Sequence, residues 1–282
     1  MSFIWPMLLM SSDPFTSSNH IYEWKFDGIR LQLSYVNGNL KLYTRHKTDC
    51  TKRFPELHSF YSESDIVLDG ELICIDPETG KDDWELVMNR FRLTNEFKIK
   101  LAMVSNPVIF MVFDILFLKE KLLHLELMER KRILAEALLP TGHIQTVSYV
   151  DTEGQAFFNK IKELQLEGCV AKHKKGLYHP AKRTDDFLKI VRYEYFEVMI
   201  TGMRKREFGY LCSFITDEGL KPAGVIEFAT KEQRNQIYKN STVEIEDSVK
   251  STFKKAIRAI VKSRGLTKRG YLRTPNIFEL HI

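Results

Sequence analysis

Cysteine is scarce in this 282-residue chain: Cys50, Cys74, Cys169 and Cys212 are all there are, and they are widely scattered. With no C-x-x-C pair and no histidines at ligand spacing, they exclude a zinc ribbon or finger and a disulfide-stapled scaffold. Three of the four lie in apolar runs, which predicts buried free thiols suited to a reducing compartment. No apolar run is long enough to span a bilayer, so no membrane partner is expected. Residues 1–15 hold a short apolar stretch with no basic residue ahead of it and a proline inside, a poor secretory signal. A cytoplasmic protein is the expectation. Internal repeats and low-complexity tracts are missing too, which argues against a solenoid or a disordered tail.

Charge of one sign is missing locally. The net charge is +5, and residues 193–282 carry all of it, with 16 Lys+Arg against 11 Asp+Glu, so the first 192 residues are neutral. Between Lys250 and Arg273 there are nine basic residues and no acidic one, a pattern suited to a polyanion. A hydrophobic content of 44% with 28% charged residues describes a globular chain whose length favours two domains.

Residues 21–43 read as two strands, because Ile29, Leu31, Leu33 and Tyr35 alternate with other residues and Asn37-Gly38 supplies a hairpin turn. A two-residue loop pairs Val36 with Asn39, Ser34 with Lys41 and Gln32 with Tyr43, and sets Arg30 opposite Arg45. Like charges facing each other in a ladder predict an anion between them. Buried strands are expected over residues 66–75, 108–118 and around 169–171, and helices over 122–139 and, after an Asp151 cap, 153–164. Strands and helices mix without strict alternation, which favours α+β. Beyond Arg192 the texture changes to short strands with glycine turns (198–203, 208–215, 224–229), then a polar helix and the basic segment. The domain boundary is placed there, as 1–192 and 193–282, with a five-stranded barrel as candidate for the second part.

The sharpest local signal is Glu23-Trp-Lys25-Phe-Asp27-Gly28-Ile-Arg30, which contains K-x-D-G-x-R. A protonated lysine, with a free pKa of about 10.4, is a poor nucleophile, so a catalytic one needs desolvation or neighbouring cations such as Arg30 and Arg45. Asp27, two residues along an extended chain, would point the same way as Lys25.

With these residues the chain resembles the covalent nucleotidyltransferase superfamily of ATP-dependent DNA ligases, RNA ligases and mRNA capping enzymes. Within it the chain is most similar to small bacterial and phage-type DNA ligases and to the ligase domain of bacterial end-joining ligases. The resemblance covers essentially the full length, block by block and in order. It implies Lys25 as the nucleophile, Glu23 as the reader of the adenine amino group, and Arg30 as the contact to ribose and nick. Arg45, in Tyr43-Thr44-Arg45 with Phe54-Pro55-Glu56 following, matches a phosphate-binding arginine. Asp69-Gly70-Glu71 matches the block whose glutamate supports nucleotide and metal, and Phe113 the aromatic that stacks on the purine. Glu167, in Glu167-Gly168-Cys169-Val170-Ala171-Lys172, matches the metal glutamate. Lys189, in Phe187-Leu188-Lys189-Ile190, matches the lysine on the α-phosphate.

Two departures stand out. Val191 occupies the place of the usual second lysine, leaving Lys172 or Arg192 as candidates for that cation. After Gly270-Tyr-Leu-Arg273-Thr-Pro275 the sequence reaches Ile282 without the usual R-x-D-K block, which in the family orients the pyrophosphate leaving group, so the alternatives are an altered step, a slower one, or one served by other basic residues such as Arg269 and Arg273. The implied fold is a nucleotidyltransferase (ATP-grasp-like) domain followed by an OB-fold β-barrel. The implied activity is ATP-dependent sealing of nicked duplex DNA through a lysine-AMP intermediate, with catalytic Lys25, Asp27, Arg30 and Lys189. Glu23, Arg45, Glu71, Phe113 and Lys172 join them in binding the nucleotide. Mg²⁺, with Mn²⁺ as a substitute, would sit on Glu71 and Glu167. A monomer is expected, with a clamp or end-binding protein as an open partner. An RNA ligase, a capping-type nucleotidyltransferase and a degenerate ligase-like DNA-binding protein remain the alternatives.

Overall fold

The computed structural model describes residues 3–282, which divide into two compact units, 3–191 and 192–282. The first unit runs β1 (Leu8–Ser11), β2 (His20–Lys25), β3 (Ile29–Val36), β4 (Asn39–Thr44), β5 (Ile66–Cys74), α1 (Trp84–Arg92), α2 (Glu96–Ser105), β6 (Val108–Leu118) and β7 (Glu120–Lys121). It continues with α3 (Leu127–Ala137), β8 (Ile144–Thr146), β9 (Tyr149–Asp151), α4 (Gly154–Glu163), β10 (Gly168–His173) and β11 (Arg183–Val191). Two sheets result, one ordered β1-β11-β10-β2-β9 and the other β4-β3-β5-β6-β7 with β8 beside β6.

Asn37 and Gly38 both take positive φ, 51° and 71°, which lets the β3–β4 hairpin close in two residues. The resulting register pairs Val36 with Asn39, Ser34 with Lys41 and Gln32 with Tyr43, as the turn demands. The ladder stops at Leu31 opposite Thr44, however, because the Lys47 and Thr48 backbone folds back onto Thr44 in a turn. Arg45 is therefore exposed and does not face Arg30, and the anion expected between them has no basis. On its other side Arg30 pairs in register with Glu71.

In the β4-β3-β5-β6 sheet, one face is apolar. Leu31, Leu33, Leu68, Leu72, Phe110 and Val112 pack with Val87 of α1 and Leu134 of α3 into the main core. The other face carries Arg30, Gln32, Asp69, Glu71, Met111 and Phe113, since directly paired and alternate residues share a face. Gly70 lies where β5 meets β6 at closest approach: a Cβ there would be driven into the Met111 carbonyl oxygen and the Phe110 ring. Gly70→Ala is expected to destabilise the protein by about 1–3 kcal/mol, read as a lowered urea midpoint at unchanged slope.

Helices α1 and α2 have no counterpart in the sequence pattern. Each is short and capped, by Asp83 and Asn95 respectively; α1 has an apolar face through Leu86, Val87 and Phe91, whereas α2 lacks one. In α1 a core-facing position is Arg90, 1% exposed and paired with buried Glu56 at 2.5 Å. In α2 Phe97, Leu101 and Val104 are exposed. The helix expected over 122–139 spans only Leu127–Ala137. α4 begins after Glu153 without a side-chain cap, while Asp151 ends β9 and pairs with Lys174 at 2.6 Å.

In the second unit, β12 (Glu194–Arg204), β13 (Tyr210–Thr216), β14 (Gly219–Ile226), α5 (Lys231–Asn240), β15 (Val243–Glu246), β16 (Lys250–Ser263) and β17 (Asn276–His281) make one sheet and one helix. Six strands are present, not five, in the order β14-β13-β12-β16-β15 with β17 on β16. Much of the basic segment is thus a single 14-residue strand. Its Phe253, Ile257, Ala259 and Val261 enter the unit's core, while Lys254 and Arg258 point outward. Among the described residues no helix is long and apolar enough to cross a membrane. All four cysteines are free and buried, and burial pushes each thiol up to about 12.

Candidate active site

Three antiparallel strands place the first set of charges. Lys25 of β2 pairs with Gly168 of β10, which pairs with Val191 of β11; the next row is Glu23, Val170 and Lys189; the next is Ile21, Lys172 and Phe187. Paired and alternate residues share a face, so Lys25, Glu23, Lys172 and Lys189 project from one side of this sheet. The charged face of the other sheet meets them. Lys25 Nζ donates to Glu167 Oε1 at 2.8 Å. Lys172 Nζ lies 4.3 Å from the centre of the Phe113 ring, and the Arg30 guanidinium 4.4 Å from it. A cleft of about 340 Å³ opens beside Lys25, lined also by Trp24, Phe26, Asp82, Met111, Thr146 and Ser148.

Arg30 is fixed by its own sheet. Asp69, fully buried, accepts from Nε at 2.7 Å and from Nη2 at 2.6 Å, and takes a third hydrogen bond from the Tyr178 hydroxyl at 2.6 Å. Burial alone would lower the arginine pKa, but Asp69 more than offsets it, so the guanidinium is held charged. Tyr178 in turn accepts from the Met7 amide at 2.9 Å, and burial followed by Asp69 raises its own pKa.

Glu71 is the most perturbed carboxyl here. Burial pushes it up to about 8, with Lys25 and Arg30 pulling down and Glu167 and Asp69 pushing further up. Carboxylates crowded in this way are relieved by a cation. Among the described residues no group of three or more His, Cys, Asp or Glu forms a ready cage. Two carboxylates that leave the remaining positions to phosphate and water suit Mg²⁺, a hard cation that favours oxygen.

Glu23 is buried, with Lys172 Nζ on Oε2 at 2.7 Å and Lys131 Nζ of α3 on Oε1. Burial lowers the Lys172 amine to about 8; Glu23 opposes the shift and Lys131 adds to it.

Of the residues singled out by sequence, Lys25, Glu23, Arg30, Glu71, Phe113, Lys172 and Lys189 are gathered on the two facing sheet surfaces, and Glu167 joins them from the loop just before β10. Arg45 is not; it lies exposed past the end of β4. Asp27 does not continue an extended strand from Lys25: β2 ends at Lys25, the chain bends, and the Asp27 amide donates to Asp82. Of the two candidates for the second cation, Arg192 belongs to the second unit and pairs with Glu194, while Lys172 is committed to Glu23. Val191 itself sits in the same row as Lys25.

Lys131, Tyr178 and Asp82 escaped sequence reasoning, since each comes from an element far along the chain. One signal was available for α3: Arg130 and Lys131 fall between Leu127 and Leu134 at helical spacing, on the face that should be apolar.

A lysine amine held against a carboxylate between two charged sheet faces, above a mixed α/β scaffold, defines the nucleotidyltransferase-type ligase fold. The chain belongs to the ATP-dependent DNA ligase family: the ATP-dependent DNA ligase domain matches residues 8–190. It is 36% identical over 276 residues to the SPbeta prophage-derived DNA ligase-like protein LigB of Bacillus subtilis, covering 97% of both chains. It is 30% identical over 182 residues to DNA ligase 2 of Korarchaeum cryptofilum, matching 60% of this chain but only 30% of that longer protein. Among solved structures, mycobacterial DNA ligase D complexed with ATP and MES shares the fold with a TM-score of 0.61 at 23% identity, over 99% of this chain and 95% of that one.

Proposed function

We propose that this ligase joins 3′-hydroxyl and 5′-phosphate ends at nicks in duplex DNA, with AMP carried on Lys25 Nζ. The observation that carries the reading is the Lys25 amine, held 2.8 Å from Glu167 beside the open cleft. Lys25 Nζ forms a bond to the α-phosphorus of ATP as the bond to pyrophosphate breaks and the amine gives up a proton. The AMP then passes to the 5′-phosphate of the nick, and the 3′-hydroxyl displaces it. Arg30, immobilised by Asp69, supplies fixed positive charge for the ribose and the nick, and Lys189 for the α-phosphate. Phe113 offers a ring for the purine and Glu23 an acceptor for its amino group. Glu71 and Glu167 are the carboxylates that would hold a divalent cation, whose chemistry is to neutralise charge on the phosphate oxygens. Residues 193–282 serve as an OB-fold, and the protein acts as a monomer in the cytoplasm.

The test is a nicked duplex with and without its 5′-phosphate, supplied with ATP or NAD⁺. Sealing is expected only with the phosphate and ATP; no sealing under any condition contradicts the reading.

The outward lysines of β16 make the duplex interaction electrostatic. Binding is expected to weaken steeply with salt. Lys254→Ala together with Lys262→Ala should flatten the slope of log affinity against log salt by about 2, or roughly 0.9 for each phosphate left without its lysine. A fluorescence titration across salt concentrations measures it.

A further inference from the structure

Glu23 is 2% exposed, and each of its carboxylate oxygens faces an amine. Lys172 reaches it from the neighbouring strand. Lys131 comes from α3, which lies outside every block of the family resemblance. The helix delivers it rigidly. Next to Lys131, Arg130 is fully buried, bound to Asp114 through Nε at 2.8 Å and Nη2 at 3.0 Å and donating to the Leu125 carbonyl at 2.6 Å and the Gly176 carbonyl at 3.2 Å. The Lys131 side chain is 8% exposed and lines a cavity of about 470 Å³. That cavity shares Thr146 and Ser148 with the cleft beside Lys25, so Lys131 borders the wall the nucleotide would use.

An ionised carboxylate only accepts hydrogen bonds. An amino group on a purine donates to it, whereas a carbonyl oxygen in the same place repels it. The geometry points to Lys131 as a specificity-determining positioning residue: it keeps Glu23 oriented as a pure acceptor, so the cleft takes an amino-bearing purine nucleotide and rejects a carbonyl-bearing one. The inference rests on the reading of the cleft as a nucleotide site. Lys172 alone is a poorer guarantor of that state, since burial lowers its amine's pKa. Without Lys131, a carboxylate oxygen inside the protein loses its cation, and the side chain turns away from the place where it would accept from an amino group and repel a carbonyl.

The test is covalent labelling of the whole chain with α-labelled ATP and GTP in parallel, with kcat and KM measured for each. Wild type is expected to favour ATP by on the order of 10⁴, the selectivity of a site built around a hydrogen bond. Lys131→Met should narrow that ratio by roughly 10- to 100-fold, through both a higher KM for ATP and new labelling by GTP. Lys131→Arg should keep the wild-type ratio. Lys131→Ala should narrow the ratio as Lys131→Met does, and added ethylamine, which the adjacent cavity admits, should restore it. An unchanged ratio in the Met and Ala variants, or equal loss with both nucleotides and no response to ethylamine, overturns the proposal while the function stands. Wild-type protein labelled by neither nucleotide overturns the reading of the cleft and the proposal with it.

Discussion

Lys25→Ala is expected to abolish the AMP adduct and to lower nick sealing by on the order of 10⁶-fold, while duplex affinity stays within a few-fold of wild type. The split follows from the chemistry. The alanine leaves no atom to bond phosphorus, and removal of a nucleophile typically costs that much. The duplex contacts proposed above lie on the basic strand β16, which belongs to the other unit. Glu167 loses its 2.8 Å partner, so a second consequence is measurable. Lys25→Arg keeps a cation for Glu167 but still lacks a usable nucleophile, so it too should fail to form the adduct. Residual sealing in Lys25→Ala above the no-enzyme background would assign the nucleophile elsewhere.

Glu71→Gln is expected to inactivate the enzyme yet make the ligand-free protein more stable at pH 8.5. Folding raises this carboxyl from the ordinary 4.5 to about 8, chiefly through burial. Between those two values the folded chain keeps a proton that the unfolded chain has released, so wild-type stability falls as pH rises from about 4.5 to 8. Glutamine has no proton to lose. The stability difference should grow to roughly 3–5 kcal/mol above pH 8, at about 1.4 kcal/mol per pKa unit, and should vanish near pH 4. Thermal or urea unfolding of both proteins at pH 4.5, 6.5 and 8.5 measures it; parallel profiles would contradict the burial argument. Wild type alone should recover stability when ATP and Mg²⁺ are added, since both draw on the ionised carboxylate.

That a site residue lowers stability has a structural reason. Glu71 shares one sheet face with Arg30 and Asp69, and on that face it is only partly exposed. Asp69 is occupied by Arg30 and Tyr178, so among the described residues Glu71 has no comparable hydrogen-bonded cation.

Much of this arrangement was legible in the chain because the relevant signals are local. The run 108–118 is a strand from end to end, and Asn37-Gly38 set the hairpin register, since a two-residue turn leaves no freedom. Lys25 and Glu23 announce themselves by alternate spacing on a strand. What failed was extrapolation past an element's end. The register that placed Arg30 opposite Arg45 is sound for six pairs, as far as Leu31 and Thr44, then breaks where the chain turns at Lys47, a residue with φ of 64°. The same holds for Asp27, whose orientation relative to Lys25 depended on a strand that stops two residues short of it. Long-range partners were out of reach altogether. Glu23 and Lys131 are over a hundred residues apart, and a lysine within Arg130-Lys131-Arg132 reads as a solvated helix face until the fold shows it turned inward. Arg90 is a similar case, hidden because arginine is seldom a core residue.

The most direct measurement is the intact mass of the protein after incubation with ATP and Mg²⁺, followed by addition of nicked duplex. A gain equal to one AMP, mapped to Lys25 and lost when the nicked DNA is added, is the expected result. A mass that never changes, or an adduct that maps to another residue or persists in the presence of the nick, would contradict it.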